Sequence, residues 1–563
     1  MQLSDKSGLV RKLLIYTALL AIPSFLIFSS LNRIEQREDI WYGGGYDPSY
    51  AYLYNSLNMA TFRLSGHIDH PGTPMQVLGG IVLRISYTIN PFGGDSITDA
   101  VISQPEFYLN ILNKSVAWMS VICLIVLGLF IFRFTKNIWY AILIQTTPLF
   151  SEILLYNGFL RISQEVVLMI GSITFGAFCL FWLFRQDQKP PKFFSDGFGI
   201  ITGFGLASKI IFLPLMLIPM IISGGKKNRI RYLKASILSF IFFTIPIIPA
   251  YHSMVWWIVR LFSHSGIYGS GDTTIINTTT YFADLKSMII GEPLLLITFL
   301  LTFIFLMVLL IGKITVKYKV RALSHVDSNK SFLLLLAIFI TQAIGFIVTA
   351  KHPKTSYLMP YLCLSSVSII VMLHVFSGLF KKELVRHSIT AIIVVTISAI
   401  SFIRTKPPLK TMFTNNNNQV FETAWQVARE FDNSSFNDSR HAVIGINPGP
   451  SPIAAHFFAN AYSRMRYADQ LTTYYPHYYI FDTYSERLVN WYNKPVTWTY
   501  LTIKYGSNIS IIGDYGMSDY ISKSIKNETK STAKNIASQL ELEELWSHQH
   551  LVAVWRVKPT SLN

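Results

Sequence analysis

Runs of apolar residues that approach or reach the length of a membrane span dominate the pattern of hydrophobic and polar positions along the chain. A helix needs about 20 consecutive apolar residues to cross the hydrocarbon core of a bilayer. The candidate runs are Leu13–Leu31, Val116–Phe134, Ile138–Leu155, Val166–Phe184, Phe198–Ile222, Leu233–Ala250, Ile289–Ile311, Phe332–Val348, Tyr357–Phe380 and Ser388–Ile403. The pattern therefore predicts a multispanning α-helical membrane protein.

One of these runs, Phe198–Ile222, is interrupted by Lys209 and contains Pro214 and Pro219. A charged side chain in the middle of a span is costly. We therefore expect two short spans that meet near the outer surface at Lys209, which brings the total to about eleven spans.

The basic residues between the runs predict the orientation of the chain. Cytoplasmic loops carry an excess of Lys and Arg, and with the N-terminus inside, every strongly basic loop falls on the cytoplasmic side. These loops contain Arg133 and Lys136, Arg185 to Lys192, Lys226 to Lys234, Lys313 to Arg321, and Lys381 to Arg386. The outer side then receives residues 32–113, 251–288 and 351–356, the loop with Arg161 and Glu165, and everything after Arg404.

Composition supports the membrane assignment. The 563 residues are 51% hydrophobic and 14% charged, with a mean hydropathy of +0.38, whereas a soluble domain has about 25% charged residues. The net charge of +17 comes largely from the basic loops, so we expect no nucleic-acid partner. Cys123, Cys179 and Cys363 lie in apolar segments, which excludes a disulfide framework and favours a bacterial inner membrane over the secretory pathway.

Two domains are predicted, a transmembrane domain of residues 1–404 with a long first outer loop at 32–113, and an extracytoplasmic domain of residues 405–563. In the second, residues 442–446, 509–512 and 551–557 have the pattern of short strands, and residues 451–462 and 529–540 that of helices. A small α/β domain is the expected fold.

The first outer loop contains two groups of residues that could support chemistry. Asp47 follows three glycines and precedes Pro48, and Asp69-His70-Pro71 comes some twenty residues later. A carboxylate can accept a proton from an attacking hydroxyl or amine. A turn-forming or helix-capping role for either Asp is the ordinary alternative.

These motifs resemble those of integral-membrane glycosyltransferases with the C-type fold, of the protein O-mannosyltransferase and lipid A aminoarabinose transferase kind. Asp47, Tyr50, Asp69, His70 and Pro71 occupy the places of that family's acidic motif, its tyrosine and its Asp-His-Pro motif. The chain departs from the family's pattern at two places. Pro48 stands where the family often has Glu, and Gly72-Thr73-Pro74 stands where the family has a second proline directly after the first. Two further segments are similar to the family's, Gly203 to Lys209 and Lys351 to Pro360.

The resemblance implies an enzyme that moves a sugar from a polyprenyl phosphate to a lipid, polysaccharide or protein acceptor at the outer face. The donor's phosphate is the leaving group, and cations must neutralise it. Catalytic roles are implied for Asp47, the first choice as base, and for Asp69, His70 and Glu165. Donor phosphate binding is implied for Arg161, Lys209, Lys351, His352, Lys354 and Tyr357, and loop contacts with substrate are expected at Tyr50, His264 and Tyr268.

Several alternatives stay open at this point. Lys and Arg at the ends of spans also extend to lipid headgroups without further function. A divalent metal could bridge Asp, Glu and His side chains of the outer loops, although the sequence has no compact ligand motif. A transporter or flippase of a lipid-linked saccharide, or a non-catalytic assembly subunit with the same fold, would show similar outer cations.

Overall fold

The computed structural model describes most of the chain. The described residues are 2–37, 39–41, 46–69, 71–90, 94–185, 192–265, 271–274, 276–316, 328–380, 382–413, 440–449, 451–531, 540–548 and 552–559. They fall into two compact units, each described separately below. The first unit contains residues 1–34, 68–75 and 113–413, and the second contains residues 35–67, 76–112 and 414–563.

Helices make up most of the described part of the chain before residue 414. They are α1 (Gln2–Gln36), α2 (Ser49–Ala60), α3 (Thr73–Ile89), α4 (Ile97–Ser103), α5 (Pro105–Thr135), α6 (Ile138–Thr146), α7 (Glu152–Phe159), α8 (Gln164–Phe184), α9 (Lys192–Ser208), α10 (Leu217–Ile222), α11 (Lys226–Phe243), α12 (Tyr251–Ser263), α13 (Tyr281–Gly291), α14 (Pro293–Val316), α15 (Ser328–Lys351), α16 (Met359–Ser377) and α17 (Glu383–Phe413). Short 3₁₀ turns at Thr147–Phe150, Ile210–Met216, Ile245–Ala250 and Thr355–Leu358 lead into α7, α10, α12 and α16.

Within the described residues, eight helical segments are long and apolar enough to cross a membrane. A ninth is obtained if Ile138–Phe150 and Glu152–Phe159, which meet at an angle of 90°, form one broken span. The bend falls at Ser151, whose hydroxyl caps α7 by accepting a hydrogen bond from the Ile153 amide at 3.1 Å. The structure thus confirms the predicted multispanning helical fold class.

The break expected at Lys209 is present, and the apolar helices on either side of it, α9 and Ile210–Ile222, are both shorter than the other candidate spans. One expected span differs from what the hydropathy pattern predicts. The expected span Leu233–Ala250 is instead a helix that ends at Phe243, and Ile245–Ser263 forms a candidate span where an outer loop is expected. Pro246 and Pro249 explain the shift, because proline cannot continue the hydrogen bonding of the preceding helix.

The C-terminal part of the second unit is a small α/β fold, as predicted. Its strands are β1 (Ala442–Asn447), β2 (Tyr478–Asp482), β3 (Arg487–Val489), β4 (Ile509–Asp514), β5 (Leu540–His548) and β6 (Val552–Pro559), in the sheet order β3-β2-β1-β4-β6-β5. The strand β1 pairs in parallel with β2 and β4, and the other pairs are antiparallel. Its helices are α18 (Pro452–Tyr462), α19 (Ala468–Tyr474), α20 (Trp498–Tyr505) and α21 (Ser518–Ser531).

The predicted helix at 529–540 is only partly described. Residues 529–531 end α21 and Leu540 begins β5, while 532–539 lie outside the described residues.

Helix α2, from the first predicted outer loop, belongs to this second unit and packs against α18. The Asn55 amide donates to the Tyr462 carbonyl at 3.2 Å, and the Tyr467 hydroxyl donates to Asn58 Oδ1 at 2.8 Å. Tyr54 and His456 are buried at the same interface, where the Tyr54 hydroxyl lies 2.6 Å from His456 Nδ1. Hydrogen bonds between buried side chains therefore fix α2 on the C-terminal sheet domain.

Candidate functional site

The first unit contains a buried ion pair between Glu165 and Lys209. Glu165 Oε1 lies 2.6 Å from Lys209 Nζ, and the two side chains are only 3% and 2% exposed. The second carboxylate oxygen, Oε2, is also buried and has no hydrogen-bond partner among the described residues. Burying a charged pair costs several kcal/mol per ion before the mutual attraction is counted. Such a pair with one open acceptor is therefore a candidate functional site.

Local backbone geometry explains how both side chains reach this position. Glu165 stands in the first turn of α8, where the helix dipole favours a carboxylate. Lys209 has extended backbone angles, φ −163° and ψ 135°, at the break between α9 and the following 3₁₀ turn. Its amide still donates to the Gly205 carbonyl at 2.9 Å, so the break is well anchored. The break in the helix thus allows the Lys209 side chain to be buried in the interior of the first unit.

Further cations lie close to this pair. The Tyr357 ring centroid is 4.5 Å from Lys209 Nζ, which is within cation–π distance. Arg161 and Lys354 are near enough to interact electrostatically with both Glu165 and Lys209. Among these groups, the positive charges of Lys209, Arg161 and Lys354 exceed the single negative charge of Glu165, so the cluster is suited to an anion.

Side chains of α7 hold Arg161 in place. Its Nε and Nη2 donate to Asn157 Oδ1 at 3.0 and 2.6 Å, and its guanidinium lies 5.0 Å from the Tyr156 ring centroid. Because the guanidinium is oriented in this way, less entropy is lost when it binds an anion.

An apolar cavity of about 360 Å³ adjoins the ion pair. Its walls carry aliphatic and aromatic side chains of the segment after Lys209 and of α12 and α15, namely Ile210, Ile211, Leu213, Pro214, Met216, Leu217, Leu261, Phe262, Ile344 and Val348. Its polar lining residues are Lys209, Lys351, His352 and Tyr357. The Lys351 ammonium donates to the Phe262 carbonyl at 2.7 Å, and His352 Nε2 lies 3.1 Å from the Leu261 carbonyl oxygen. The cavity therefore combines a nonpolar wall with the side chains of two lysines, a histidine and a tyrosine.

The structure brings together most of the residues predicted to bind the donor phosphate, together with Glu165, for which a catalytic role is predicted. Lys209 contacts both Glu165 and Tyr357, Lys351 and His352 line the adjoining cavity, and Arg161 and Lys354 act on the pair electrostatically.

Other predicted site residues of the first unit lie outside this cluster or outside the described chain. Asp69 is half-buried at a bend, next to Ile68, which packs against Ile247 and Met254. His264 follows α12, with Nδ1 2.8 Å from the Ser263 hydroxyl, and is not among the lining residues of the cavity. His70 and Tyr268 lie outside the described residues.

Asp47 and Tyr50 belong to the second unit and differ in their surroundings. Asp47 is exposed. Tyr50 is fully buried, its hydroxyl donates to Glu106 Oε1 at 2.8 Å, and burial raises its pKa well above the usual value. The geometry thus gives Tyr50 a packing role within its unit.

Sequence reasoning missed a second buried carboxylate in the first unit. Glu292, between α13 and α14, is 4% exposed, and its Oε1 accepts a hydrogen bond from the Ser151 hydroxyl at 3.0 Å. In the sequence, the only sign of this buried carboxylate is that Glu292 stands at the edge of a strongly apolar run. Its hydrogen-bond partner, Ser151, could be identified only from the three-dimensional structure.

A metal site can be assessed only for the residues that the structure describes. Within them, no group of three or more His, Cys, Asp or Glu side chains is arranged to hold an ion.

The chain is similar to solved structures of two proteins, ArnT and an oligosaccharyltransferase. ArnT from Cupriavidus metallidurans, bound to undecaprenyl phosphate, matches at 11% identity over 96% of this chain and 97% of the other, with a TM-score of 0.45. The Archaeoglobus fulgidus oligosaccharyltransferase in complex with Zn and sulfate matches at 12% identity, over 89% of this chain and 69% of the other, with a TM-score of 0.43.

No protein-family model and no curated protein sequence matches the chain.

Proposed function

We propose that the protein transfers a sugar from a polyprenyl phosphate to an acceptor at the outer face of a bacterial inner membrane, with the N-terminus cytoplasmic and the C-terminal domain outside. The observation that carries the proposal is the buried Glu165–Lys209 pair beside an apolar cavity. A polyprenyl phosphate has the same two parts, an apolar chain and an anionic headgroup. The cavity would take the first isoprene units, and the cationic groups would bind the phosphate.

The chemistry requires the bond between the anomeric carbon and the phosphate oxygen to break while the acceptor oxygen or nitrogen bonds to that carbon. Lys209, Arg161 and Lys354 would neutralise the charge that develops on the departing phosphate, the kind of stabilisation that lowers barriers most. Glu165 would hold the Lys209 ammonium in place.

The acceptor must lose a proton in the same step. Asp47 remains the proposed base, because its carboxylate is exposed and it occupies the acidic position of the first-loop motif. Asp69 and His70 are proposed as assisting groups on the same grounds, and the acceptor is a lipid, a polysaccharide or a protein.

Donor binding is the most direct test. Purified full-length protein in nanodiscs is titrated with undecaprenyl phosphate, and Lys209→Met is compared with Lys286→Met, a lysine exposed on α13. We expect at least tenfold weaker binding for Lys209→Met, since a charge-assisted hydrogen bond contributes about 1.5–3 kcal/mol, and unchanged binding for Lys286→Met. Equal affinity of the two variants would contradict the assigned phosphate site.

Transfer is measured separately with a radiolabelled polyprenyl-phosphate sugar and membrane acceptors. Asp47→Asn should leave donor binding intact and reduce transfer by about 10²-fold or more, the usual contribution of a general base. Full transfer by Asp47→Asn would remove Asp47 from the mechanism. Repeating the assay after chelation with EDTA decides whether a divalent metal takes part.

A transporter of lipid-linked saccharides is the second candidate. The 90° break at Ser151, hydrogen-bonded to buried Glu292, favours it, because transporters build their sites at discontinuous helices. A transporter would carry the labelled donor across proteoliposomes without consuming it.

A further inference from the structure

A groove lined by aromatic side chains lies in the C-terminal part of the second unit, between residues 472 and 500. Its volume is about 410 Å³, within the roughly 300–1,000 Å³ range of small-molecule sites. Tyr478, Tyr479 and Trp491 are almost fully buried and form its inner wall, while Tyr492 and Tyr500 are 41% and 48% exposed at its edge. Exposed aromatics beside a groove cost solvation free energy, so their clustering needs an explanation.

Hydrogen bonds from backbone amides to side-chain oxygens fix the shape of the groove. Asn490 Oδ1 accepts from the amides of Tyr492 and Lys494 at 3.0 and 3.1 Å, which closes the turn after β3. The Thr497 hydroxyl caps α20 by accepting from the Tyr500 amide at 3.1 Å. The two exposed tyrosines therefore start from ordered backbone, and little entropy is lost when a ligand binds.

The polar tips of three aromatic residues are already engaged within the protein. Trp491 Nε1 donates to the Tyr475 carbonyl at 3.1 Å, the Tyr492 hydroxyl donates to Asp469, and the Tyr479 hydroxyl lies 3.2 Å from that of Tyr505. Of these three residues only Tyr492 is exposed, and it offers its ring rather than its hydroxyl to a ligand.

The remaining lining matches the edge of a sugar. Thr472, Asn490 and Thr497 are neutral hydrogen-bonding residues, and no residue that lines the described groove carries a charge. A pyranose ring has a face of C–H groups that packs on an aromatic ring and a rim of hydroxyls that bonds to neutral polar groups. Tyrosine and tryptophan supply such contact area with few rotatable bonds.

We propose that this groove is a binding site for a neutral saccharide chain. The site lies wholly within the second unit and uses none of the residues assigned to donor binding. Its test is therefore independent of sugar transfer.

The proposal is tested by saturation-transfer NMR on full-length protein in nanodiscs with three neutral hexasaccharides, of glucose, N-acetylglucosamine and mannose. Tyr500→Ala and Tyr492→Ala are compared with Tyr520→Ala, which removes a tyrosine that is 47% exposed on α21, outside the groove. We expect at least one hexasaccharide to bind, about threefold to tenfold more weakly to each groove variant, and unchanged in Tyr520→Ala.

Three results would overturn the proposal. The first is that none of the three hexasaccharides binds, and the second is that they bind equally to groove and control variants. The third is that a polyproline decapeptide binds in a Tyr500-dependent manner and more tightly than any of the sugars. Equal thermal unfolding of the three variants establishes that lost binding comes from the groove and not from misfolding.

Discussion

Removing the Lys209 ammonium should destabilise the first unit strongly, whereas removing the whole ion pair should not. In Lys209→Met, the Glu165 carboxylate keeps its 3% exposure and loses the partner at 2.6 Å, while its Oε2 already has no hydrogen-bond partner among the described residues. Breaking a buried pair in this way costs about 3–5 kcal/mol. Replacing both members with Lys209→Met and Glu165→Leu leaves no buried charge and should recover most of that loss.

The assay is thermal unfolding of full-length protein in nanodiscs for the wild type, both single variants and the double variant. The double-mutant cycle isolates the coupling energy of the pair, because each single change removes the same contact. We expect a coupling of at least about 2 kcal/mol and a double variant more stable than Lys209→Met. A double variant as unstable as the sum of the singles would refute the view that Lys209 and Glu165 compensate each other. If the double variant is stable but does not bind undecaprenyl phosphate, the pair is present for function.

Two further predictions concern the second unit. Burial lowers the pKa of His456 to about 3, below the usual value of about 6.5 in an unfolded chain. The folded state then binds fewer protons between these values, and stability should fall as the pH decreases from 6.5 toward 3, by up to several kcal/mol. The unfolding midpoint should fall between pH 7 and pH 4 in the wild type and should fall less in His456→Gln. An equal fall in the two proteins would be evidence against a contribution from His456. Gly66→Ala should cost about 1–3 kcal/mol, because an added Cβ would collide with the Tyr462 carbonyl. Gly291→Ala at the end of α13, with nothing within 4 Å of the new methyl group, serves as its control and should be at least as stable as the wild type.

The features that could be predicted from the sequence are those that depend on local patterns. Apolar length predicts most of the candidate spans, and the cost of a charge in an apolar run predicts the break at Lys209. Strands β1 and β4 are apolar runs and were predicted, whereas β2 and β3 are short and rich in aromatic or polar residues. Neither strand has the alternating pattern that identifies a half-buried strand. They are recognised as strands only from their pairing in the sheet, where β2 pairs with β1 and β3 pairs with β2.

Long-range pairing was beyond the reach of sequence patterns. Glu165 and Lys209 are separated by 44 positions, and each alone has an ordinary explanation, as a favourable residue at a helix start or as a cation at the end of a span. Only the fold shows that they neutralise each other in a buried place. In the same way, Tyr50 was expected to contact substrate from an outer loop, but packing buries it against Glu106.

The excess of positive charge around the ion pair favours the products of the proposed bond cleavage over the intact donor. A polyprenyl-phosphate sugar is a phosphodiester with one negative charge. The departing polyprenyl phosphate is a monoester, which carries about 1.5 to 2 negative charges at neutral pH. Lys209, Arg161 and Lys354 together outweigh Glu165 by two charges. The cluster therefore complements the leaving phosphate better than the intact donor, which is the differential binding that accelerates a reaction. Glu165 is consistent with this role, because it supplies a counter-charge for Lys209 before the donor arrives and still leaves the site cationic when the phosphate departs.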